Sequence, residues 1–266
     1  MVSLKKVGFW PLVCCVALFL ILVAYLFLLA SNLMYLGLSD LLIFLPRERL
    51  WVRVGLTLYT SVIATFFSLV IGIPAGYALS RLKLPWPSLT STLLDLPVMV
   101  PPAAIGAFLL GFMASFPVKN VCEFLNIEFA HNTAGVILVQ FVVTLAFCCR
   151  LMKAGFDNVN PRYEAVSRSL GSSLPRTLRK VTLPMAKNSI IASAFIVWAR
   201  AAAEWEALMI FVGGIMGKTD VLPFSVYLDW NGGLMGEVVT YSLISIAMAV
   251  LSMSAMYFIG GRTRAF

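Results

Sequence analysis

The sequence predicts an all-α polytopic membrane protein with six transmembrane helices, and three observations carry this prediction. Of the 266 residues, 61% are apolar and 12% are charged, whereas a water-soluble domain has about 25% charged residues. The apolar residues fall into runs that match a bilayer span of about 20 residues. Six such runs occur, with only short loops between them. A soluble enzyme is therefore excluded, and residues 1–266 are expected to form one transmembrane domain.

The first apolar run covers residues 9–30. It is longer than the core of a signal peptide, which has about 7 to 15 apolar residues, so we expect it to be a first membrane span. The remaining five runs are expected to cross the membrane in the same way, at residues 54–79, 96–116, 134–152, 190–212 and 238–259. No stretch between them predicts a second domain.

The lysines and arginines between the spans predict the orientation of the chain. With both termini on one side, that side carries 14 of the 20 basic residues and the other side carries five. Basic loops stay in the cytoplasm, so both termini are expected there, in the plasma (inner) membrane of a prokaryote. The loop between the first two spans disagrees, since it carries Arg47, Arg49 and Arg53. The basic residues serve topology in this interpretation, and no nucleic acid is expected to bind.

The longest cytoplasmic loop, about residues 155–184, contains signals for two short helices. Asn160 can cap the first helix and Gly171 is suited to end it. Glu164 lies in its early turns, where the helix dipole favours an anion. Ser173 can cap a second helix that leads towards the fifth span. Two ordered helices on the cytoplasmic face indicate a surface for a partner protein.

This loop resembles a motif of binding-protein-dependent ABC importer permeases. Residues 161–171 read PRYEAVSRSLG, and VTLP follows at residues 181–184. The family pattern is EAA, three residues, glycine, nine residues and I-x-L-P, and it forms the helix that couples the permease to its ATPase. The spacing after the glycine matches. The glutamate stands one residue early, at Glu164, and Ala165 takes its place in the pattern.

The resemblance implies a transport subunit, not an enzyme, with the type I importer permease fold. It implies contacts with an ATPase subunit through Arg162, Glu164, Ala165, Arg168, Ser169, Leu170, Gly171, Leu183 and Pro184. The shifted position of Glu164 leaves open whether this residue contacts the ATPase or caps the helix. ATP and Mg²⁺ are expected in the separate ATPase, and this chain is expected to bind no cofactor.

Two further stretches resemble the molybdate, tungstate and sulfate branch of the same family. LDLPVMVPP at residues 94–102 resembles the signature D-L-P-x-x-x-P-P. WARAAAEW at residues 198–205 and GKTDVLP at residues 217–223 resemble the segments W-x-R-A-x-x-E-F and G-[RK]-T-x-x-L-P. Glu206 departs from the pattern, because those permeases carry a small residue there. The resemblance implies import of an oxyanion, with molybdate or tungstate placed before sulfate or thiosulfate.

The same stretches supply the candidate substrate pathway, which consists of Pro97, Pro101, Pro102, Arg200 and Glu204. Arg200 and Glu204 are four residues apart on one helical face, so they can form an ion pair. Alternatively, Arg200, or backbone N–H groups freed near the prolines, can offer weak donors to a passing anion. Asp95 is expected to cap the amino end of the third span.

Two local patterns are not interpreted as sites. Residues 212–219 read VGGIMGKT and lack the first glycine of the phosphate-binding pattern G-x-x-x-x-G-K-[ST]. They also follow a membrane span on the side opposite the cytoplasm, so no nucleotide site is expected. His131 is the one histidine of the sequence. A metal site is not expected, because no cluster of ligands surrounds it.

The expected assembly contains two copies of this chain, two ATPase subunits and an external oxyanion-binding protein, set in membrane lipid. Transport is expected to proceed by ATP-driven alternating access. The alternatives from other classes are an ATP-independent channel and a secondary transporter, which would need an ion site near the bilayer midplane. A membrane-embedded enzyme would need clustered catalytic groups, which the apolar spans do not offer.

Overall fold

The computed structural model describes residues 9–82, 86–124 and 128–259, and the regular elements in these ranges are helices. The all-α prediction is therefore confirmed. The predicted cytoplasmic placement of both chain termini rests on residues that lie outside the described ranges. The helices are α1 (Phe9–Phe44), α2 (Glu48–Arg81), α3 (Pro87–Met99), α4 (Pro102–Ala114), α5 (Val118–Phe124), α6 (Thr133–Asp157), α7 (Pro161–Ser169), α8 (Leu174–Thr177), α9 (Leu183–Ala202), α10 (Glu206–Phe211), α11 (Leu222–Asn231) and α12 (Met235–Ile259).

Five stretches of helix are long and apolar enough to cross a membrane, within the part of the chain that the structure describes. They lie in α1, α2, α6, α8 joined to α9, and α12. A sixth span results when α3 and α4 are counted together, since residues 92–99 and 102–114 form a pair bent by 110°. The predicted spans are thus found, but the third and fifth runs of sequence do not form continuous helices.

The third predicted span, residues 96–116, is bent because prolines interrupt it. Pro101 has no N–H for a helical hydrogen bond, and the residue before a proline avoids the helical region. Val100 accordingly adopts an extended conformation, with ψ of 136°, and ends α3. Pro102 then begins α4. The fifth predicted span, residues 190–212, is also divided, between α9 and α10, at a break that contains no proline.

The pair of α2 and α6 forms the centre of the bundle, and glycines of α2 allow the two helices to approach closely. A Cβ atom on Gly72 would lie 2.5 Å from Cys148 Sγ, and one on Gly76 would lie closer than 3.0 Å to Met152 Cβ. Small residues permit such backbone contact between membrane helices. α9 packs against both α2 and α6 and completes this core.

Outside this core, α1 packs on α12, and the ring of Phe44 occupies the space where a side chain at Gly236 would lie. The segment Val13–Ser31 of α1 has no buried residue, which suits an apolar helix that faces lipid. The bundle has two ends. The loop end is defined by Arg81, the last residue of α2, and by residues 155–184. The opposite end is defined by Glu48, where α2 begins.

Candidate functional site

The helix α7 at the loop end is bounded by the two signals that the sequence predicts. The side chain of Asn160 accepts a hydrogen bond of 3.0 Å from the N–H of Arg162, so the predicted cap is confirmed. At the other end, Gly171 has φ of +83°. The N–H of Ser172 bonds the carbonyl of Ser167 at 3.2 Å, as in the glycine-ended turn that closes many helices. The boundaries of α7 are therefore set by local sequence.

The carboxylate of Glu164 points into the bundle and not towards the surface. Glu164 is only 8% exposed. Its Oε1 accepts a hydrogen bond of 2.9 Å from Arg81 Nε, and its Oε2 accepts one of 3.1 Å from the hydroxyl of Tyr77. Asn160, and not Glu164, caps the helix. Because Glu164 is buried, a contact between its carboxylate and another protein is disfavoured. Glu164 is buried because it stands one residue before the glutamate of the family pattern, and one residue turns a helical side chain by about 100°. Ala165, which holds the pattern position, is exposed.

Arg81 also binds the end of α6. Its Nη2 donates to the carbonyl oxygens of Phe156 at 2.9 Å and of Val159 at 2.5 Å. The ring of Tyr77 packs edge-on against that of Phe156, with 5.5 Å between the ring centroids. We define the Arg81 clamp as Arg81, Glu164 and Tyr77 with these two carbonyl groups. It joins α2, α6 and α7 at one point.

The exposed side of α7 carries an apolar strip that consists of Tyr163, Val166 and Leu170. These side chains are 54%, 59% and 82% exposed, and their spacing of three and then four residues places them on one face. Of the strip, the sequence prediction named only Leu170, although the same spacing was available as a signal. Most of the other exposed residues predicted to meet an ATPase lie on this helix or just after it, namely Arg162, Ala165, Arg168, Ser169 and Gly171.

The second predicted helix of the loop is only the first turn of a longer helical segment. Ser173 precedes α8 but makes no capping bond with its side chain. A π turn at Leu178–Thr182 then connects α8 to α9. The N–H of Leu183 bonds the carbonyl of Leu178 there. Pro184 follows, and the wider turn fits a residue that has no N–H to donate. Leu183 is half-buried and Pro184 is exposed.

At the bend between α3 and α4, the structure corrects the expected role of Asp95. Asp95 lies within α3 and forms a salt bridge with Arg150 of α6, so the predicted cap is wrong. Its partner is distant in sequence, and no local pattern reveals it. Of the predicted pathway prolines, Pro97 lies inside α3, Pro101 lies in the break and Pro102 is the first residue of α4.

The predicted pair of Arg200 and Glu204 is confirmed. Arg200 Nη1 lies 2.7 Å from Glu204 Oε2. The second carboxylate oxygen accepts a hydrogen bond of 3.0 Å from the N–H of Ala207 and so caps α10. α4 packs on α10, and a Cβ atom on Gly106 would lie 2.5 Å from the carbonyl oxygen of Ala207. The structure therefore places α4, which follows the proline bend, against α10, whose first turn is capped by Glu204.

The loop at residues 212–221 uses several of its own polar groups internally. The N–H of Gly217 donates to Asp220 Oδ1 at 2.6 Å, and the N–H of Ile215 donates to the hydroxyl of Thr219 at 2.8 Å. A carboxylate thus occupies an amide that a bound phosphate would use, which agrees with the expectation of no nucleotide site. His131 Nδ1 lies 2.8 Å from the carbonyl oxygen of Val212, so the histidine takes part in the packing of this loop.

A charged cluster at the opposite end was missed by the sequence analysis. Arg53 is 1% exposed, and it binds Asp220 Oδ2 at 3.0 Å and Asp229 Oδ2 at 2.7 Å. Arg47 pairs with Glu237 at 2.6 Å. We define these residues, together with Arg49, as the Arg53 cluster. Arg47, Arg49 and Arg53, whose position conflicts with the predicted orientation, are therefore neutralised within the protein. That conflict was the only signal of the cluster in the sequence.

These features define a helical membrane transport component, with a bent third span and a helical loop that presents an apolar strip. The chain belongs to the family described as binding-protein-dependent transport system inner membrane component, whose family model matches residues 47–265. It is therefore a transport subunit of the inner membrane, and the family implies an ATPase and a binding protein as partners.

Two relatives cover most of the chain. The molybdenum transport system permease protein ModB of Escherichia coli strain K12 is 30% identical over 207 residues, which are 76% of this chain and 90% of that protein. The molybdate/tungstate transport system permease protein WtpB of Methanocaldococcus jannaschii is 29% identical over 210 residues, which are 78% of this chain and 80% of that protein.

Solved structures of ABC transporters share the fold. A chain of the MetNI methionine ABC transporter, in an inward-facing conformation, has a TM-score of 0.62 at 17% identity and covers 78% of this chain and 93% of its own length. A chain of a bacterial alginate ABC transporter has a TM-score of 0.71 at 14% identity and covers 95% of this chain and 94% of its own length. At these identities the likeness shows the fold alone.

Proposed function

We propose that this chain is the permease of an ATP-driven importer of a tetrahedral oxyanion, molybdate or tungstate. The observation that carries the proposal is the similarity, over about three quarters of the chain, to relatives named for molybdenum and for molybdate/tungstate transport. The proline bend and the pair of Arg200 and Glu204, which the sequence linked to oxyanion permeases, support the same substrate class. Sulfate or thiosulfate is the second candidate, because these anions share the shape and charge.

The loop end faces the cytoplasm in this proposal, as the 14 of 20 basic residues on that side indicate. Two copies of the chain, with one loop each, stand over two ATPase subunits. The apolar strip and the exposed residues around it meet the ATPase, and ATP and Mg²⁺ bind in that partner. Closure of the ATPase pair turns the permeases as rigid bodies, so that an inward-open cavity opens outward and receives the anion from an external binding protein.

The anion passes near the proline bend and Arg200. The side chain of Arg200 is 37% exposed, and its bond to Glu204 uses only one guanidinium nitrogen. An arginine inside a membrane span is costly unless it faces a cavity or a partner. A donor that is already paired binds an anion weakly, as transport requires. Pro97, Pro101 and Pro102 shape the path by bending the third span.

The substrate is tested by uptake into vesicles that contain the permease, the ATPase and the binding protein. Labelled molybdate should accumulate only with ATP, and tungstate should compete with it at least as well as sulfate. Transport of a sugar or an amino acid without inhibition by molybdate, tungstate or sulfate would contradict the proposed substrate and leave the importer class intact. Uptake without ATP would favour a secondary transporter or a channel.

The role of Arg200 is tested with Arg200→Gln. If the guanidinium touches the anion, the complex should assemble and uptake should slow by about tenfold, the effect of losing about 1.4 kcal/mol of charge-assisted hydrogen bonding. A variant that does not assemble would show that Arg200 serves only to neutralise Glu204. Uptake at the rate of the unaltered protein would remove Arg200 from the pathway.

The orientation is tested by cysteine labelling in a variant whose Cys14, Cys15 and Cys122 are replaced by serine. Ser173→Cys, at the loop end, should react only with reagents that reach the cytoplasmic side. Met216→Cys, in the exposed loop at the opposite end, should react from the outside. The reverse pattern would contradict the proposed topology.

A further inference from the structure

We infer that the Arg81 clamp is the joint through which the cytoplasmic loop moves α2 and α6, with Glu164 and Arg81 as positioning residues that do not contact the ATPase. The inference rests on the proposed function, because it assumes that an ATPase moves α7. It differs from the assignment by sequence, which placed Glu164 among the residues that meet the ATPase.

The helix α7 contributes one buried side chain to the bundle. Among the nine residues of α7, which the structure describes in full, only Glu164 is buried. The apolar residues of this helix form the exposed strip, so no apolar side chain anchors α7 in the core. A polar contact from Ser167 to Thr177 at 3.1 Å links α7 to α8, but not to α2 or α6. Besides the chain segment 158–160 that connects it to α6, and its contacts with α8 and the π turn, α7 is joined to α2 by the side chain of Glu164.

The Glu164 carboxylate holds α7 in a defined geometry. Its two oxygens bind two residues that lie one turn apart on α2, Tyr77 and Arg81. Two bonds from one rigid carboxylate fix the direction as well as the position of α7 relative to α2. Because the same guanidinium binds the carbonyls of Phe156 and Val159, the end of α6 is held in the same unit. A displacement of α7 then moves three elements together, as a rigid-body transition requires.

The contact between Arg81 and Glu164 has low exposure to solvent. The side chains of Arg81 and Glu164 are 10% and 11% exposed, and a buried ion pair is weakened little by solvent. The next residue, Ala165, lies about 100° further around α7 and is exposed. A carboxylate at position 165 would therefore face a partner, but the chain carries its carboxylate at Glu164 instead.

The test uses the complete complex of permease, ATPase and binding protein in vesicles, with three measurements on each variant. These are the amount of ATPase that co-purifies, the rate of ATP hydrolysis, and the number of molybdate ions imported per ATP hydrolysed. Glu164→Gln should keep the ATPase bound and hydrolysis within about twofold, while import per ATP falls by about tenfold, in the range of known coupling effects. Glu123→Gln, an exposed carboxylate at the opposite end, is the matched control and should match the unaltered protein.

A second variant separates positioning from contact. The double substitution Glu164→Ala with Ala165→Glu moves the carboxylate to the exposed face of α7. If the carboxylate worked by touching the ATPase, import per ATP would be kept or improved. The clamp predicts a loss at least as large as for Glu164→Gln. Normal import per ATP in either variant overturns the inference.

If the Glu164 variants fail to assemble, Tyr77→Phe tests the same inference. It removes one hydrogen bond to Glu164 and keeps the ring that packs on Phe156, so the bundle should still form. Import per ATP should fall by about threefold, and an unchanged value would overturn the inference. Failure of the proposed function looks different, because then the unaltered complex itself would hydrolyse ATP without importing any of the three oxyanions.

Discussion

Both ends of α2 hold an arginine of low exposure that needs a carboxylate partner, and the partners differ between the two ends. Each end carries an arginine that binds carboxylates from distant parts of the chain, Arg53 at the opposite end and Arg81 at the loop end. The partners of Arg53 lie 167 and 176 residues away, and the partner of Arg81 lies 83 residues away. The side chain of Arg53 is 1% exposed and that of Arg81 is 10% exposed.

The partners of the two arginines explain what the two sites do. In the Arg53 cluster, three arginines meet three acidic residues that belong to α11, α12 and the loop before α11. Each of these elements belongs to the packed bundle, so the cluster fastens the opposite end. The Arg81 clamp holds α7, whose other face is exposed and apolar. In the proposed mechanism, one end of α2 provides stability and the other end transmits motion.

The largest effect on stability is expected from Arg53→Gln. This change leaves Asp220 and Asp229 buried without the cation between them, and breaking a buried ion pair costs about 3 to 5 kcal/mol. Thermal unfolding of the purified permease in detergent should show a large drop in melting temperature or a loss of folded protein. Arg49→Gln is the control, because Arg49 is 42% exposed and lies 3.9 Å from Asp229; it should cost less than about 1 kcal/mol. Equal melting temperatures for both variants would contradict a stabilising role for the cluster.

A smaller loss of stability is expected from Gly76→Val, which tests how tightly α2 is held to α6 between its two ends. The new Cβ atom would overlap the backbone and side chain of Met152, and forcing such contacts apart costs about 1 to 3 kcal/mol. Gly55→Ala in the same helix is the control, since nothing lies within 4 Å of its added Cβ atom. That change should be neutral or slightly stabilising, because alanine favours helix over glycine. A Gly76→Val variant as stable as Gly55→Ala would show that the two helices separate easily.

The smallest effect on stability, with a large effect on coupling, is expected from Gly171→Val. The φ of +83° at this position costs a residue with a Cβ atom about 1 to 2 kcal/mol, and the strain falls on the end of α7 and not on the bundle. The melting temperature should therefore change little, while import per ATP falls or the ATPase detaches. Gly171→Asn is the control, because asparagine tolerates this conformation. Normal coupling with valine would remove the turn at Gly171 from the coupling loop.

The sequence predicted those parts of the structure that depend on local signals. The long apolar runs correspond to α1, α2, α6, α9 and α12, because a membrane span is recognised from hydropathy alone. Asn160 and Gly171 mark the ends of α7 because helix capping involves residues only a few positions apart. The pair of Arg200 and Glu204 was predictable for the same reason, since four residues along a helix fix the distance between two side chains.

The tertiary structure alone decided which charges on different helices meet. Asp95 was expected to cap a helix and instead pairs with Arg150, and Glu164 was expected at the surface or at a helix end and instead binds Tyr77 and Arg81. No periodicity in the sequence encodes these contacts, because they depend on how whole helices pack. A charged residue inside an apolar bundle must find a partner, and the sequence shows that the need exists. Only the packing of α3 against α6, and of the loop against α2 and α6, determines which partner satisfies it.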